Sequence, residues 1–181
     1  MLALDVALIL EQYTRACVQM MEDGGEARSQ AGYLHSYNPL KGIDMPSLTY
    51  PSSIVWKGLD RSLVAELREL PNAYEAARRR IYVASEYDDP IDGMWNEEVE
   101  AARLGQRAWA LAVKVRQRYE LRPAENHERD GWDIHKTLAD KIEDDKERQK
   151  RIEAQDLKMQ SEISAAFDGD AEPAPDRTSP T

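Results

Sequence analysis

The stretch Asp92–Leu121, DGMWNEEVEAARLGQRAWALAVKVRQRYEL, decides the fold class. Leu104, Ala108, Leu111, Ala112, Val115 and Tyr119 recur along it at steps of three and four, which places them on one face of a helix that needs a partner surface. Beside that face lie Ala101, Gly105, Ala108 and Ala112, small residues that let a neighbouring backbone come close. Pro123 closes the element, because proline cannot donate the amide that a continuing helix requires.

Working back towards the N-terminus, Leu2, Val6, Ile9, Tyr13, Ala16 and Met20 show the same spacing and predict a first helix to about Glu22. Gly24 and Gly25 are expected to stop it. A long irregular loop is then predicted over residues 24–53, where Asn38-Pro39, Met45-Pro46 and Tyr50-Pro51 bias the residues before proline towards extended backbone. A second helical series runs from Trp56 through Leu59, Leu63, Leu67, Leu70, Tyr74, Ala77, Ile81 and Ala84. Pro71 interrupts it and predicts either one kinked helix or two helices meeting near Leu70. Asp88, Asp89 and Pro90 end the unit.

Downstream, Trp132, Ile134, Leu138 and Ile142 begin a fourth amphipathic segment, but no apolar residue appears from Glu143 to Arg151. Asp144 with Arg148 and Glu147 with Arg151 stand four apart, a spacing that supports an exposed helix. Ile152, Met159, Ile163 and Phe167 form a sparse seam of coiled-coil type for a partner, short of three clean heptads. From Asp168 onward the residues leave little to bury and predict a disordered tail. The expected organisation is a helical bundle domain over 1–142, a charged helical extension over 143–167 and a disordered tail over 168–181. The fold class is all-α, an antiparallel three- or four-helix bundle.

Composition narrows the function classes. With 34 acidic against 24 basic residues and a net charge of -10, the chain as a whole is a poor phosphate binder, and nucleic acid is not an expected partner. The charge is uneven, since six basic residues from Arg103 to Arg122 face a single acid, Glu120. Arg103, Arg107, Lys114 and Arg118 are therefore candidate interaction residues, on a face that is either simply solvated or meets an anionic lipid surface or acidic partner. Cys17 is the only cysteine, so no intramolecular disulfide or cysteine-rich metal site can form, and a reducing compartment is compatible; the expected setting is cytoplasmic, with membrane association as the alternative. The opening MLALDVALIL is interrupted by Asp5, lacks a basic leader and is too short to cross a bilayer, so neither a signal peptide nor a membrane span is expected.

Candidate chemistry is sparse. Glu97 with Glu100, and Glu125 with Glu128, are carboxylates three apart, a pattern that can hold Mg²⁺ for nucleotide hydrolysis in all-α pyrophosphohydrolases. The second pair lies just past Pro123 and lacks the expected Asp. His127 and His135 stand near Asp130 and Asp133, at a spacing that fits no helical metal signature. His35 is isolated in a Tyr-rich stretch, and Cys17 reads as a small buried apolar residue. Tyr33, Tyr37 and Tyr50 either pack a long loop over two helices or offer hydroxyls to a ligand. No catalytic residue, metal or cofactor is assigned.

Tyr50-Pro51, Trp56, Leu70-Pro71 and the run from Leu104-Gly105-Gln106-Arg107-Ala108 to Leu111-Ala112, Arg116 and Tyr119 resemble an uncharacterised family of small proteobacterial helical proteins, often with an N-terminal membrane span. The likeness covers roughly residues 50–142, rests on packing residues and implies no activity. Three readings follow from the sequence. The first is a non-enzymatic interaction or scaffold protein, whose charged fourth segment is an arm that orders on a protein partner or on a second copy. The second is a peripheral membrane protein anchored by MLALDVALIL and the Arg103 to Arg122 face. The third is a metal-dependent nucleotide hydrolase using Glu97 and Glu100.

Overall fold

The computed structural model describes residues 2–124 and 133–169, with side chains through residue 164. Its elements are α1 (Leu2–Leu34), α2 (Arg61–Ser85), α3 (Pro90–Arg118) and α4 (Ile134–Gly169), with short 3-10 turns at Asn38–Leu40 and Trp56–Gly58. The fold is all-α, as the periodicities require. The chain divides into two units, Met1–Glu143 and Asp144–Thr181, and α4 passes from the first into the second. Of the predicted disordered tail, residues 170–181 lie outside the described residues, while 168 and 169 belong to α4.

In the first unit, α3 is the central helix. Asp89 starts it by accepting from the Ile91 amide at 2.8 Å, and Pro90 fills a first-turn position that needs no amide. Ala101, Ala102, Ala108 and Ala112 are all buried, and Gly105 passes so close to α1 that an added Cβ would stand 3.1 Å from that of Cys17. Thr14 uses the approach, its hydroxyl donating to the carbonyls of Leu10 and Gly105. Three contacts fix the α1–α3 pairing as antiparallel: Glu11 with Arg116, Cys17 with Gly105, and Arg28 with Glu98. Helix α2 is also antiparallel to α3, through Glu66 with Lys114 and Arg80 with Glu100.

The first helix does not stop at Gly24-Gly25, and the predicted loop over 24–53 is corrected: α1 continues to Leu34. The penalty of a mid-helix glycine, ~1 kcal/mol, is outweighed at Gly24 by close packing. A Cβ there would lie 2.9 Å from Oε1 of Glu98 and 3.1 Å from Sδ of Met94. The helix ends instead where His35 adopts φ 49° and Ser36 donates its amide to the Ala31 carbonyl, an end usually supplied by glycine. Glu120 does the same for α3, with φ 49° and a bond from the Leu121 amide to the Arg116 carbonyl.

Because α1 and α2 both run antiparallel to α3, they are parallel to each other, and the chain must return along the bundle between them. Residues 35–60 make that return. One end is marked by Tyr37, whose hydroxyl donates to Asp89, and the other by Asp60, whose amide donates to the Tyr119 hydroxyl. Leu40, Met45, Leu48 and Leu59 bury on the way, Tyr50 meets Trp56 edge to face, and the Tyr50 hydroxyl donates to the Leu67 carbonyl. Asp60 then caps α2, accepting from the amides of Ser62 and Leu63. Pro71 lies inside a single helix, so of the two expected arrangements it is not the pair of helices meeting near Leu70 that forms.

The neighbouring glycines give a matched test. Nothing lies within 4 Å of a Cβ added at Gly25. Gly25→Ala should stabilise by about 0.5–1 kcal/mol in urea unfolding, whereas Gly24→Ala should destabilise despite its better helix propensity. Equal gains at both positions would contradict the close packing of α1 on α3.

Candidate functional site

The first unit places several charges in its interior. Glu98 is 1% exposed, and its carboxylate receives Nε and Nη2 of Arg28 at 2.6 and 2.9 Å, together with the Lys141 ammonium from the start of α4. The Trp95 ring meets both cations, 4.9 Å from the Arg28 guanidinium and 3.3 Å from the Lys141 nitrogen. Glu11 holds Arg116 at 2.5 and 3.1 Å, and Arg116 donates further to the Arg122 carbonyl. Glu100 receives Arg80 and Arg103. These groups join elements far apart in sequence, and their bonding is internal.

The cationic run is engaged in the same way. Arg103 pairs with Glu100, Arg107 with Glu69 at 3.0 Å, Lys114 with Glu66 at 2.6 Å, and Arg118 with Asp60 at 3.0 Å. Arg107 and Lys114 thus bridge α3 to α2, Arg118 reaches the residue that caps α2, Arg103 pairs within α3, and Arg116 is buried. Of the opening MLALDVALIL, Val6, Ala7 and Leu10 face the core, while Leu4 and Leu8 are exposed. Among the described residues no helix is long and apolar enough to cross a membrane.

The carboxylates predicted to share a metal have different surroundings. Glu100 faces its two arginines, whereas Glu97 lines a cleft of about 470 Å³ with Asp44, Met45, Tyr74, Arg78 and Tyr82. Burial, then the neighbouring Asp44, raises the Glu97 pKa above the usual carboxylate range. A second hollow of about 310 Å³ shares Asp44, Ser85 and Glu97 with this cleft. Among the described residues no group of three or more His, Cys, Asp and Glu is arranged to hold a metal ion. Glu125, Glu128, His127 and Asp130 lie outside the described residues.

The remaining candidates have structural surroundings. The His135 ring meets Trp109 edge to face at 4.8 Å, and Asp133 accepts from the amides of His135 and Lys136 where α4 begins. Cys17 is fully buried, which pushes its thiol up to about 12 and removes the thiolate needed for nucleophilic chemistry. Tyr33 is exposed, while Tyr37 and Tyr50 make the hydrogen bonds of the return segment.

The second unit contrasts with this economy of charge. Every residue from Gln149 to Ser164 is exposed, including Ile152 at 37%, Leu157 at 68%, Met159 at 58% and Ile163 at 50%. Three of the four predicted seam residues, Ile152, Met159 and Ile163, therefore stand on a formed helix with apolar surface in solvent. The Phe167 side chain lies outside the described residues. Leu157 is an exposed apolar residue that the seam reading missed, because it falls out of heptad step.

Two outcomes follow for the ionic framework. Glu98→Ala should cost about 3–5 kcal/mol in urea unfolding, since it strands Arg28 and Lys141 beside apolar neighbours, whereas Arg107→Ala, in an exposed pair, should cost under about 1 kcal/mol. Comparable losses would contradict the assignment of Glu98 as the buried partner. The second concerns Asp60, held at about 2 by the Ser62 hydroxyl, Arg118 and the Leu63 amide. A lowered folded-state pKa gives stability that is present above the unfolded value and lost as pH falls through the folded one. Asp60→Asn should therefore reduce stability at neutral pH and flatten its decline between about pH 4 and pH 2 in thermal unfolding; an unchanged acid slope would count against the cap. Comparison of the chain with family models, with curated proteins and with solved structures finds no match.

Proposed function

We propose that this is a non-enzymatic interaction protein, in which the helical body carries residues 144–164 as a preformed binding arm. The observation that carries the reading is the exposed apolar surface of the arm at Ile152, Leu157, Met159 and Ile163. Fully burying such a side chain is worth roughly 1.5–3 kcal/mol, and within its own unit the helix leaves all four in water. A second helix laid along the face of Ile152, Met159 and Ile163 would recover that free energy for these three, as in helix-to-helix recognition through residues at steps of three and four. The body supports this division of labour, since its buried carboxylates Glu11, Glu98 and Glu100 are paired with cations of the same unit and its single thiol is buried. The acidic cleft at Asp44 and Glu97 lacks the converging nucleophile, base and electrophile that a catalytic assignment would need.

Two derivatives of the full chain test the proposal. Truncation after Glu143 retains Leu138 and Lys141, and should leave the thermal transition of the body within a few degrees of the full chain. A full-length Ile152→Asp, Met159→Asp, Ile163→Asp variant should retain helical content by circular dichroism and lose the crosslinked complex formed in cells. Unfolding of the body on truncation, or an unchanged complex in the triple variant, would overturn the arm as the binding element.

A further inference from the structure

We infer that the end of the body where α2 turns into α3 is a second docking surface, and that it takes an arginine-bearing segment of a partner protein. This surface belongs to the first unit and stands independently of the arm. Three tyrosines are exposed there, Tyr37 at 49%, Tyr82 at 69% and Tyr87 at 86%. Tyr82 lines the cleft at Asp44, Ser85 and Glu97, the smaller hollow joins those three residues to Asp88 and Asp89, and Asp89 accepts from the Tyr37 hydroxyl at 2.7 Å. Tyr87 precedes Asp88 in the turn, where residues 85–90 are all exposed. The three rings thus border two adjoining hollows, and Leu40, Ile43 and Met94 add apolar surface to the smaller one. Tyrosine combines a large apolar ring with a hydroxyl that can bond, and is enriched for that reason where proteins meet.

Charge identifies the occupant. Residues 81–97 carry Glu86, Asp88, Asp89, Asp92 and Glu97 with no Lys or Arg, and Asp44 joins them from the return segment. The carboxylates of the hollows accept from neutral donors: the Asn96 side chain on Asp88, the Tyr37 hydroxyl and Ile91 amide on Asp89, and the Met45 amide on Glu97. Their negative charge therefore remains available to a partner. One base, Arg78, lines the larger cleft, with its guanidinium 5.9 Å from the Tyr74 ring centre. Among the described residues the smaller hollow is lined by four carboxylates and no base. Such a surface repels anionic lipid and nucleic acid and attracts a cation. Arginine fits better than lysine, since its planar guanidinium binds a carboxylate through two donors and stacks on an aromatic ring at the same time. The body uses that combination internally, where Arg28 binds both oxygens of Glu98 and lies 4.9 Å from the Trp95 ring. Around the smaller hollow the carboxylates and rings are in place, and the guanidinium is left for another chain to supply.

The test is fluorescence anisotropy with the full-length chain and a labelled peptide of alternating arginine and serine, at physiological salt. The wild-type chain should bind it, and should bind the lysine–serine counterpart several-fold more weakly. Asp44→Asn with Glu97→Gln should raise the dissociation constant by about tenfold or more, and Tyr82→Ala by a few-fold, with circular dichroism and the thermal transition unaltered. Glu153→Gln with Glu162→Gln removes the same charge from the arm and should leave binding within about twofold of wild type. In a titration followed by nuclear magnetic resonance, the amides of Asp44, Tyr82 and residues 85–89 should shift, while those of residues 149–164 stay in place. Equal weakening by the cleft and arm variants would mean attraction to net charge alone and would overturn the surface, as would shifts confined to the arm or a wild-type chain that does not bind. Equal affinity for the two peptides would overturn arginine as the group recognised.

Discussion

Two carboxylate–guanidinium pairs, each with its carboxylate buried, set the register on which the first unit depends. Glu11 with Arg116 and Glu98 with Arg28 join α1 to α3 near opposite ends of their contact, separated by about five turns on each helix. A buried ion pair adds little net stability, because desolvation offsets most of the attraction, but an unpaired buried charge is costly. Sliding α1 by one turn would take Glu11 from Arg116 and Arg28 from Glu98, leaving Glu98 with Lys141 alone and Arg116 with only the Arg122 carbonyl. The alternative registers are thereby destabilised more than the native one is stabilised. Gly24 and Gly105 complete the constraint, since each admits the opposing helix only where a side chain is absent.

Once α1 is held along α3, the rest of the topology has few options. α2 and the start of α4 must also find sides of α3, and the return segment over residues 35–60 is the cost of placing two consecutive helices parallel. That segment stays ordered because it closes at both ends, with Tyr37 on Asp89 and with Asp60 on Tyr119 and Arg118. It therefore shares the core through Leu40, Met45, Leu48 and Leu59. A long connection of this kind is explained by topology, and a ligand-binding role is not required to account for it.

The helices of the body were legible because their apolar faces are periodic, and α3, the most periodic, was read to within a few residues. The errors fall where local signals and tertiary contacts disagree. Gly24-Gly25 has the local character of a terminator, and only the proximity of Glu98 and Met94 shows why α1 continues through it. The true ends of α1 and α3 use His35 and Glu120 in left-handed backbone, where glycine would have announced them. The cationic run was visible as charge but not as bonding, because the partners of Arg107, Lys114, Arg116 and Arg118 lie on other elements far away in sequence. Among the candidate carboxylates, spacing put Glu97 and Glu100 together, yet a separation of three residues was enough for Arg80 and Arg103 to engage one and Asp44 to face the other.

The arm owes its helical state to where it begins. An isolated helix of mostly charged residues is marginal in water, because the first turn fixes several residues for a single hydrogen bond. In α4 that turn forms within the body's unit: Asp133 receives the amides of His135 and Lys136, Leu138 is fully buried, and Lys141 reaches Glu98. From Gln149 onward, where every residue through Ser164 is exposed, the helix needs only propagation, in which each added residue contributes one backbone bond. Residues with nothing to bury can thus remain helical, and Ile152, Met159 and Ile163 are presented with their spacing already set. The buried start of α4 thus accounts for the ordered state of the exposed residues that follow it.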